Sequence, residues 1–429
     1  MIAAAAEQIM VTFKGEGAGV DELSWGQSEN WSAIVSQKTW IPLGGVKPLD
    51  SGTTVDDIAD ELAYLMSRYQ PMRTKLHIDA DGHVLQEVFD SGEIALSIVD
   101  CFADPSATAE AICDEWRVSE MDFTAEWPVR MAVVRCDGVL THMAVLVSHL
   151  VTDATGAGVM MAEVARREAG PVSGMQPLEQ ARWQQSPAGR RQNASALRYW
   201  EGILRSIPPQ RFPVVLEAES PRYWHGEFSS PAMLSALQRI VAASGLESTT
   251  VLLTLYSLAL HDFTGVNPVV IRPIVSNRFR PGLANVVCTL AQGGLCSLDV
   301  AGQPFGEALE IVQRSVLSAY KYAYFDHHDM VALRQRFEVD TSCYFNDRRS
   351  PGHMSSIATD GPPEFRWIAS QDAPSFEPLF VHIDDVPGTV QITIYLDTAC
   401  VPAAAGEALL RKMAAIALEA GTRMGESSP

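Results

Sequence analysis

In the stretch "SHLVTDATG", residues 148–156, a histidine stands four positions ahead of an aspartate. On one helix that spacing makes an ion pair; at the end of a strand it presents an imidazole beside a carboxylate. The flanking residues select the second arrangement. "MAVLVSHLV" is a valine-rich apolar run, preceded by "VRMAVV" and an Asp137-Gly138 turn signal, so the two runs read as a hairpin whose second strand ends near His149. Beyond it Ala157, Met160, Met161 and Val164 recur at helical spacing and place a helix start near Thr155. His149 and Asp153 therefore bracket a strand-to-helix turn. Two readings fit: a buried polar histidine followed by an aspartate that caps the helix, or a reactive imidazole held where a strand ends. An imidazole, which titrates near ~6.5 in water, suits proton transfer or hydrogen bonding to a reacting group at neutral pH.

The remaining chemistry-bearing residues narrow the choice. His327 and His328 in "YKYAYFDHHDMVALR" have no following strand-to-helix turn, and their acidic neighbours fit a polar helix start. No third and fourth ligand stand at zinc spacing, so no metal site is expected. No serine sits in a G-x-S-x-G elbow and no G-x-x-x-x-G-K-[ST] loop is present, which disfavours hydrolase chemistry and ATP.

A chain of 429 residues is long for one core, and two lobes of roughly 200 residues each are the default. In the first 170 residues helical and strand patterns alternate. "TVDDIADELAYLMSRYQ" is helical, and "HIDADGHVLQEV" reads as a hairpin around Asp81-Gly82. From Gly170 to Pro213 prolines, glycines and serines cluster, and this stretch reads as the connection between lobes. Then "SGLESTTVLLTLYSLALHDFTG" is a buried helix capped by Ser248 or Thr249 and stopped at Gly265, and "PVVIRPIVSNR" is an inner strand. The chain has 52 acidic and 32 basic residues, a net charge of −20, which argues against nucleic acid or an anionic membrane as partner. The seven cysteines (Cys101, Cys113, Cys136, Cys288, Cys296, Cys343 and Cys400) form no CxxC pair and read as reduced thiols of a cytoplasmic protein. No signal peptide is read in "MIAAAAEQIM", and no run approaches ~20 apolar residues, so a soluble monomer is expected.

Taken in order, "LSWGQSENW", "MRTKL" with "DGHVLQEV", "DFTAEWPVRMAVV", "SHLVTDA", "RYWEGIL", "TTVLLTLYSLALHDFTG" with "PVVIRPIVSNR", "LANVVCTLAQGGLCSLDV" and "CYFNDRR" resemble the condensation domains of nonribosomal peptide synthetases, within the chloramphenicol-acetyltransferase-like acyltransferases. The resemblance implies an α/β (α+β sandwich) fold: two acetyltransferase-like lobes in a V-shaped pseudo-dimer with a tunnel between them. Residues 1–175 form the N-terminal lobe with the HxxxD motif, 176–195 the connector and 196–429 the C-terminal lobe. The family motif is His-His-x-x-x-Asp-Gly with the second histidine functional. Here His149 and Asp153 are kept, while Ser148 replaces the first histidine and Ala154 the glycine. A neighbour on a strand points to the opposite face, so Ser148 matters less. Ala154 matters more, because a Cβ obstructs a close backbone approach or a positive φ, unless Gly156 or Gly158 takes that part.

By the same resemblance His149 is the base or hydrogen-bonding organiser, Asp153 makes a structural ion pair across the lobes with Arg278, and Ser148 and Asn346 belong near the tunnel. No cofactor is expected. An acyl group arrives on the phosphopantetheine of a separate acyl or peptidyl carrier protein and passes to a free or carrier-bound amine or hydroxyl acceptor. Carrier docking is assigned to Arg190 and Arg191, within a run that also holds Arg182 and Arg198. Two alternatives remain: an inactive docking platform for a tailoring enzyme, and an epimerisation-type relative in which a carboxylate assists proton abstraction.

Overall fold

The computed structural model describes residues 7–212, 217–350, 352–371 and 377–426. By contact the chain divides into unit 1, Met1–Gln192 with Ser276–Ala291, and unit 2, Asn193–Val275 with Gln292–Pro429.

Unit 1 runs β1 (Glu7–Lys14), β2 (Gly19–Glu22), α1 (Trp25–Gln37), β3 (Pro42–Pro48), α2 (Val55–Arg68), β4 (Thr74–Ile78), β5 (Val84–Val88), β6 (Ser91–Cys101), α3 (Pro105–Val118), β7 (Val129–Cys136), β8 (Val139–Ser148), α4 (Ala154–Arg166) and α5 (Pro177–Gln185). Its main sheet has the order β1-β6-β7-β8-β3, with β2, β5 and β4 in a small sheet beside it. The β7–β8 connection is the Asp-Gly turn: Asp137 and Gly138 have φ of 51° and 82°, the pair of positive values that matches strand twist in a tight hairpin. β8 pairs antiparallel with both β7 and β3, so it is interior, and its run from Met143 to Val147 is apolar on both faces. Helix α2 opens with a capping box between Thr54 and Asp57 and buries Ile58, Leu62, Leu65 and Met66 along one stripe.

The proline- and serine-rich stretch that reads as the connection between lobes carries two helices. Pro177 opens α5 and Pro187 opens α6 (Pro187–Leu204), where a missing N–H costs nothing, and Ser186 Oγ accepts from the Gly189 N–H at 3.2 Å. The boundary between units falls inside α6.

Unit 2 runs β9 (Tyr223–Ser230), α7 (Pro231–Ser244), α8 (Ser248–Thr264), β10 (Val269–Val275), β11 (Gln292–Gly293), β12 (Cys296–Leu298), α9 (Phe305–Lys321), α10 (His327–Gln335), β13 (Cys343–Asp347), β14 (Glu364–Gln371), β15 (Leu379–Asp384), β16 (Val390–Asp397) and α11 (Ala403–Glu426). Its sheet has the order β11-β10-β13-β15-β16-β9-β14, with β12 on β10, which makes β10 the inner strand its apolar run requires. Residues of α7, α8, α9 and α11 share one hydrophobic core with the sheet.

Helix α8 ends at Gly265 with φ of 66°, but neither expected residue caps its start. Thr249 Oγ1 donates instead to Asp347 Oδ2 at 2.6 Å, and Ser248 Oγ accepts from Arg349 Nη2 at 3.0 Å. Tertiary partners on and just beyond β13 draw both hydroxyls away from the helix end. His327 and His328 open α10, where Asp326 accepts from the His328 and Asp329 N–H groups. Among the described residues no single helix is long and apolar enough to cross a membrane.

Candidate active site

The strand end that presents His149 is held from beneath. Ser148, fully buried, donates its hydroxyl to the Trp40 carbonyl at 2.9 Å and accepts from the Leu150 N–H at 3.2 Å. The His149 N–H donates to the Ile41 carbonyl at 3.0 Å. Ile41 has φ of 45°, a conformation a β-branched residue adopts at a cost of about 1–3 kcal/mol. That strained carbonyl fixes where β8 stops. Ser148 is thus the anchor of the turn, with its hydroxyl fully engaged in it.

Asp153 is at once a helix cap and the ion-pair partner of Arg278. As N-cap of α4, its Oδ1 accepts from the Gly156 N–H at 2.8 Å. The same carboxylate pairs with Arg278, Nη2 to Oδ1 and Nη1 to Oδ2, both at 2.8 Å. Oδ2 also accepts from the Leu290 and Ala291 N–H groups at 2.9 and 3.2 Å. Arg278 spends its other hydrogens on the Val286 and Cys288 carbonyls, at 2.9 and 3.3 Å from Nη2. Both side chains are about 95 % buried. A carboxylate so fully engaged has no lone pair to offer a substrate, and its work is to join the start of α4 to the 276–291 segment. The pair was expected to cross between lobes; it lies inside unit 1, because 276–291 belongs to that unit. Beside it, burial chiefly and the Asp153 charge next push the Cys288 thiol up to about 12.

The glycine question resolves at Gly156. Ala154 is exposed and helical, with no positive φ, so its Cβ meets no obstacle. A Cβ on Gly156 would lie 2.2 Å from the Val287 carbonyl oxygen and 2.9 Å from both Arg278 Nη2 and Thr152 Oγ1. The close approach is therefore made two residues after Ala154, and Gly158 has open space around it.

Asn30 is the residue the sequence did not single out. It lies on α1, whose start is the capping box of Ser24 and Gln27: Ser24 Oγ accepts from the Gln27 N–H, and Gln27 Oε1 from the Ser24 N–H at 2.9 Å. Gly26 lets this helix press on the 276–291 segment, since a Cβ there would meet the Thr289 carbonyl at 2.5 Å. Four residues on, and so on the same face, Asn30 Nδ2 lies 2.8 Å from Thr289 Oγ1, 3.0 Å from the His149 carbonyl oxygen and 3.1 Å from His149 Nδ1. The His149 ring is part-buried, and among the described residues its Nε2 has no hydrogen-bond partner. One ring nitrogen is tied to the protein and the other is open. The only hint in the sequence was the four-residue spacing of Gly26 and Asn30, which means nothing until Thr289 is known to lie opposite.

Asn346 stands on β13 of unit 2, with Nδ2 3.3 Å from Nδ1 of His382. Burial first, then Arg348 and His225, hold the His382 imidazole well below its ordinary range. Arg182, Arg190, Arg191 and Arg198 are exposed on α5 and α6, with Arg182 3.3 Å from Asp21. A separate cavity of about 360 Å³, bounded by Arg68, Glu163, Arg166 and Asn285, lies at the far end of α4. Its buried Arg68 and Glu163 pair with each other at 2.8 Å, so it holds no open charge of theirs for the site at His149.

The sequence profile described as Condensation domain matches residues 48–345. The chain belongs to the condensation-domain family. Among curated relatives, phosphinothricin tripeptide synthetase PhsC of Streptomyces viridochromogenes is 26 % identical over 288 residues, which are 62 % of this chain and 26 % of that one. The chain thus spans about a quarter of that relative's length. Among solved structures, the condensation domain that mediates chain release from the enacyloxin polyketide synthase superposes with a TM-score of 0.74 at 20 % identity, covering 96 % of this chain and 83 % of that one. The X-domain from teicoplanin biosynthesis, also solved in complex with OxyB, superposes at 0.73 and 15 % identity over 94 % and 95 % of the two chains. The present chain thus has the condensation-domain fold, and in this condensation domain the motif's histidine and aspartate, Arg278 and Asn30 meet within one unit.

Proposed function

We infer that this condensation domain is an acyltransferase that joins a carrier-borne thioester to a nucleophilic acceptor in natural-product assembly. The observation that carries the reading is the completed latch below His149: Asp153, Arg278, Gly156 and the Leu290 and Ala291 amides hold the turn, while Nε2 of the ring has no partner among the described residues. A buried ion pair is costly to build and earns no net stability over apolar packing, so its presence is best understood as fixing geometry. In the reaction the acceptor attacks the thioester carbonyl carbon, an oxyanion forms, the carbon–sulfur bond breaks and the carrier's thiol departs. His149 is the side chain that meets the reacting atoms, and correct placement of acceptor and thioester supplies a large share of the rate. The acyl group comes on the phosphopantetheine of a separate carrier protein, and the exposed arginines of α6 are its docking point.

The docking-platform alternative drew on Ser148 and Ala154. Neither is a lesion: Ser148 anchors the turn and Ala154 lies exposed at the helix start. An epimerase would need a carboxylate beside the imidazole, and Asp153 has none of its oxygens to spare. The test is incubation with an acyl-loaded carrier protein and an amine, with product read by mass spectrometry. His149→Ala should cut turnover by at least about 100-fold at an unchanged melting temperature. Binding of the carrier without turnover by the unmodified protein would restore the platform reading.

A further inference from the structure

The cavity at the far end of α4 has hydrogen-bonding groups that the protein itself does not use. At its buried side stands Glu163, whose side chain is only 8 % exposed. Arg68 Nε donates to Glu163 Oε2 at 2.8 Å with Nη2 at the same distance, and the Tyr69 hydroxyl donates to that oxygen at 2.6 Å. All three donors fall on Oε2, and Oε1 has no hydrogen-bond partner among the described residues. Arg68 balances the charge of the carboxylate, but the lone pairs of one buried oxygen stay unused, a state in which acceptors are seldom left. Three residues on, and so on the same face of α4, Arg166 has the opposite surplus. Glu168 Oε2 lies 3.8 Å from its Nε, beyond hydrogen-bond reach, and its guanidinium has no hydrogen-bond partner among the described residues. At the rim Asn285 Nδ2 donates to Ser173 Oγ at 3.0 Å, which leaves Asn285 Oδ1 as a further acceptor. Val159, Ala162 and Pro171 supply the apolar part of the wall, and every one of these residues belongs to unit 1.

We propose that this cavity binds a free α-amino acid with an aliphatic side chain, its ammonium on Glu163 Oε1 and Asn285 Oδ1, its carboxylate on Arg166, and its side chain against Val159, Ala162 and Pro171. The lining holds two arginines and two glutamates, so it is neutral in sum. An ion of either sign would enter without a counter-charge, whereas a zwitterion brings its own. One end of the ligand must donate to Glu163 and the other must accept from Arg166. The Cβ atoms of residues three apart on a helix are ~5–6 Å from each other, and an α-amino acid, whose ammonium and carboxylate stand on one carbon, bridges side chains set that close. A volume of about 360 Å³ is within the range of small-ligand sites. Glu163 lies about 13.5 Å along the helix axis from Ala154, so the bound amino acid is held away from His149. Asn285 sits on the same 276–291 segment that carries Arg278, and an occupied cavity ties that segment to α4 a second time.

The test is calorimetric titration of the full chain with L-valine, which should bind saturably with a Kd of about 1 mM or tighter. Isobutylamine and isovalerate each keep one charged end of valine, and each should bind about 10- to 100-fold more weakly, the loss that goes with one charged hydrogen-bonding group. Arg166→Gln, at an exposed position, should weaken valine by the same factor and leave isobutylamine unaffected. Glu163 is left intact, because it also neutralises buried Arg68. Ala162→Phe, exposed on α4, fills the cavity and should abolish binding. Valine at about 100 times its Kd should raise Tm of the wild type by roughly 5–10 °C and leave that of Ala162→Phe unmoved. His149→Ala should bind valine as the wild type does. No heat and no shift in Tm at about 50 mM valine, roughly fifty times the expected Kd, overturns the proposal and gives the cavity to water. Binding that survives both Arg166→Gln and Ala162→Phe, or that is lost in His149→Ala, overturns it as well, since the amino acid then sits elsewhere. Either half-molecule bound as tightly as valine overturns the zwitterion on which it rests. No arm requires turnover, so each of these failures leaves the acyltransfer reading intact.

Discussion

Asp153→Asn separates the two tasks of one carboxylate. Asparagine caps helices about as well as aspartate, so the substituted side chain keeps an oxygen at the Oδ1 position, where the Gly156 N–H lies at 2.8 Å. Its amide nitrogen then falls at Oδ2, facing Arg278 Nη1 at 2.8 Å and the Leu290 and Ala291 N–H groups at 2.9 and 3.2 Å. Three donors lose their acceptor, and a guanidinium about 95 % buried loses its counter-charge. Breaking a buried pair from one side costs about 3–5 kcal/mol. For a unit of about 200 residues each kilocalorie lowers Tm by about 2–4 °C, so the transition of unit 1 should fall by roughly 6–20 °C. Arg278→Met should do similar harm, and the double variant should lose less than the sum by about 0.5–3 kcal/mol, since it leaves no stranded charge. Thermal melts by circular dichroism, run beside the acyl-transfer assay, read both effects. An Asp153→Asn protein that melts like the wild type but has lost its activity would refute the latch and move Asp153 into the chemistry.

Gly156→Ala should destabilise by at least about 1–3 kcal/mol, because its Cβ would meet the Val287 carbonyl, whereas Gly158→Ala, in open space on the same helix, should be neutral or stabilise by up to about 1 kcal/mol; chemical denaturation of the pair checks both. His382 is held neutral by burial, so its folded value lies below the unfolded one near ~6.5, and its contribution to stability is full above that pH and lost as pH falls below it. His382→Gln should flatten the dependence of Tm on pH in that window, and an unchanged slope would remove His382 as its source. Reversing Arg190 and Arg191 to Glu should raise KM for a carrier-bound donor and spare a small soluble thioester, with the defect shrinking as salt rises; equal loss for both donors would place docking elsewhere.

What the sequence could reveal was whatever depends on neighbours along the chain. The Asp137-Gly138 turn needs two positive φ angles, which those residues tolerate, so the hairpin and the end of β8 near His149 were legible. So were the Asp153 cap and the stop of α8 at Gly265, each a local hydrogen-bonding pattern. The losses are all tertiary. Ser248 and Thr249 look like caps until Asp347 and Arg349 claim them. Pro177 and Pro187 read as part of the connection between lobes, yet each begins a helix. Arg278 was recognised, but its unit was not, because nothing local shows that residues 276–291 pack on α1 and α4. Asn30 escaped for the same reason: its partners are 119 and 259 positions away.

The return of residues 276–291 to the first unit constrains how the protein is made. On the ribosome the first 192 residues emerge without Arg278, Leu290 or Ala291, and at roughly 5–20 residues per second those arrive about 5–20 s later. Until then Asp153 is a carboxylate waiting for its cation, and the turn that will hold His149 is only half braced. Closing a loop of 125 residues between Asp153 and Arg278 costs about 4 kcal/mol in chain entropy, a debt comparable to what the finished ion pair holds in place. Vectorial folding therefore cannot finish the first unit before the second has begun, and a gene cut at the unit boundary will express a fragment that has His149 but lacks the means to set it.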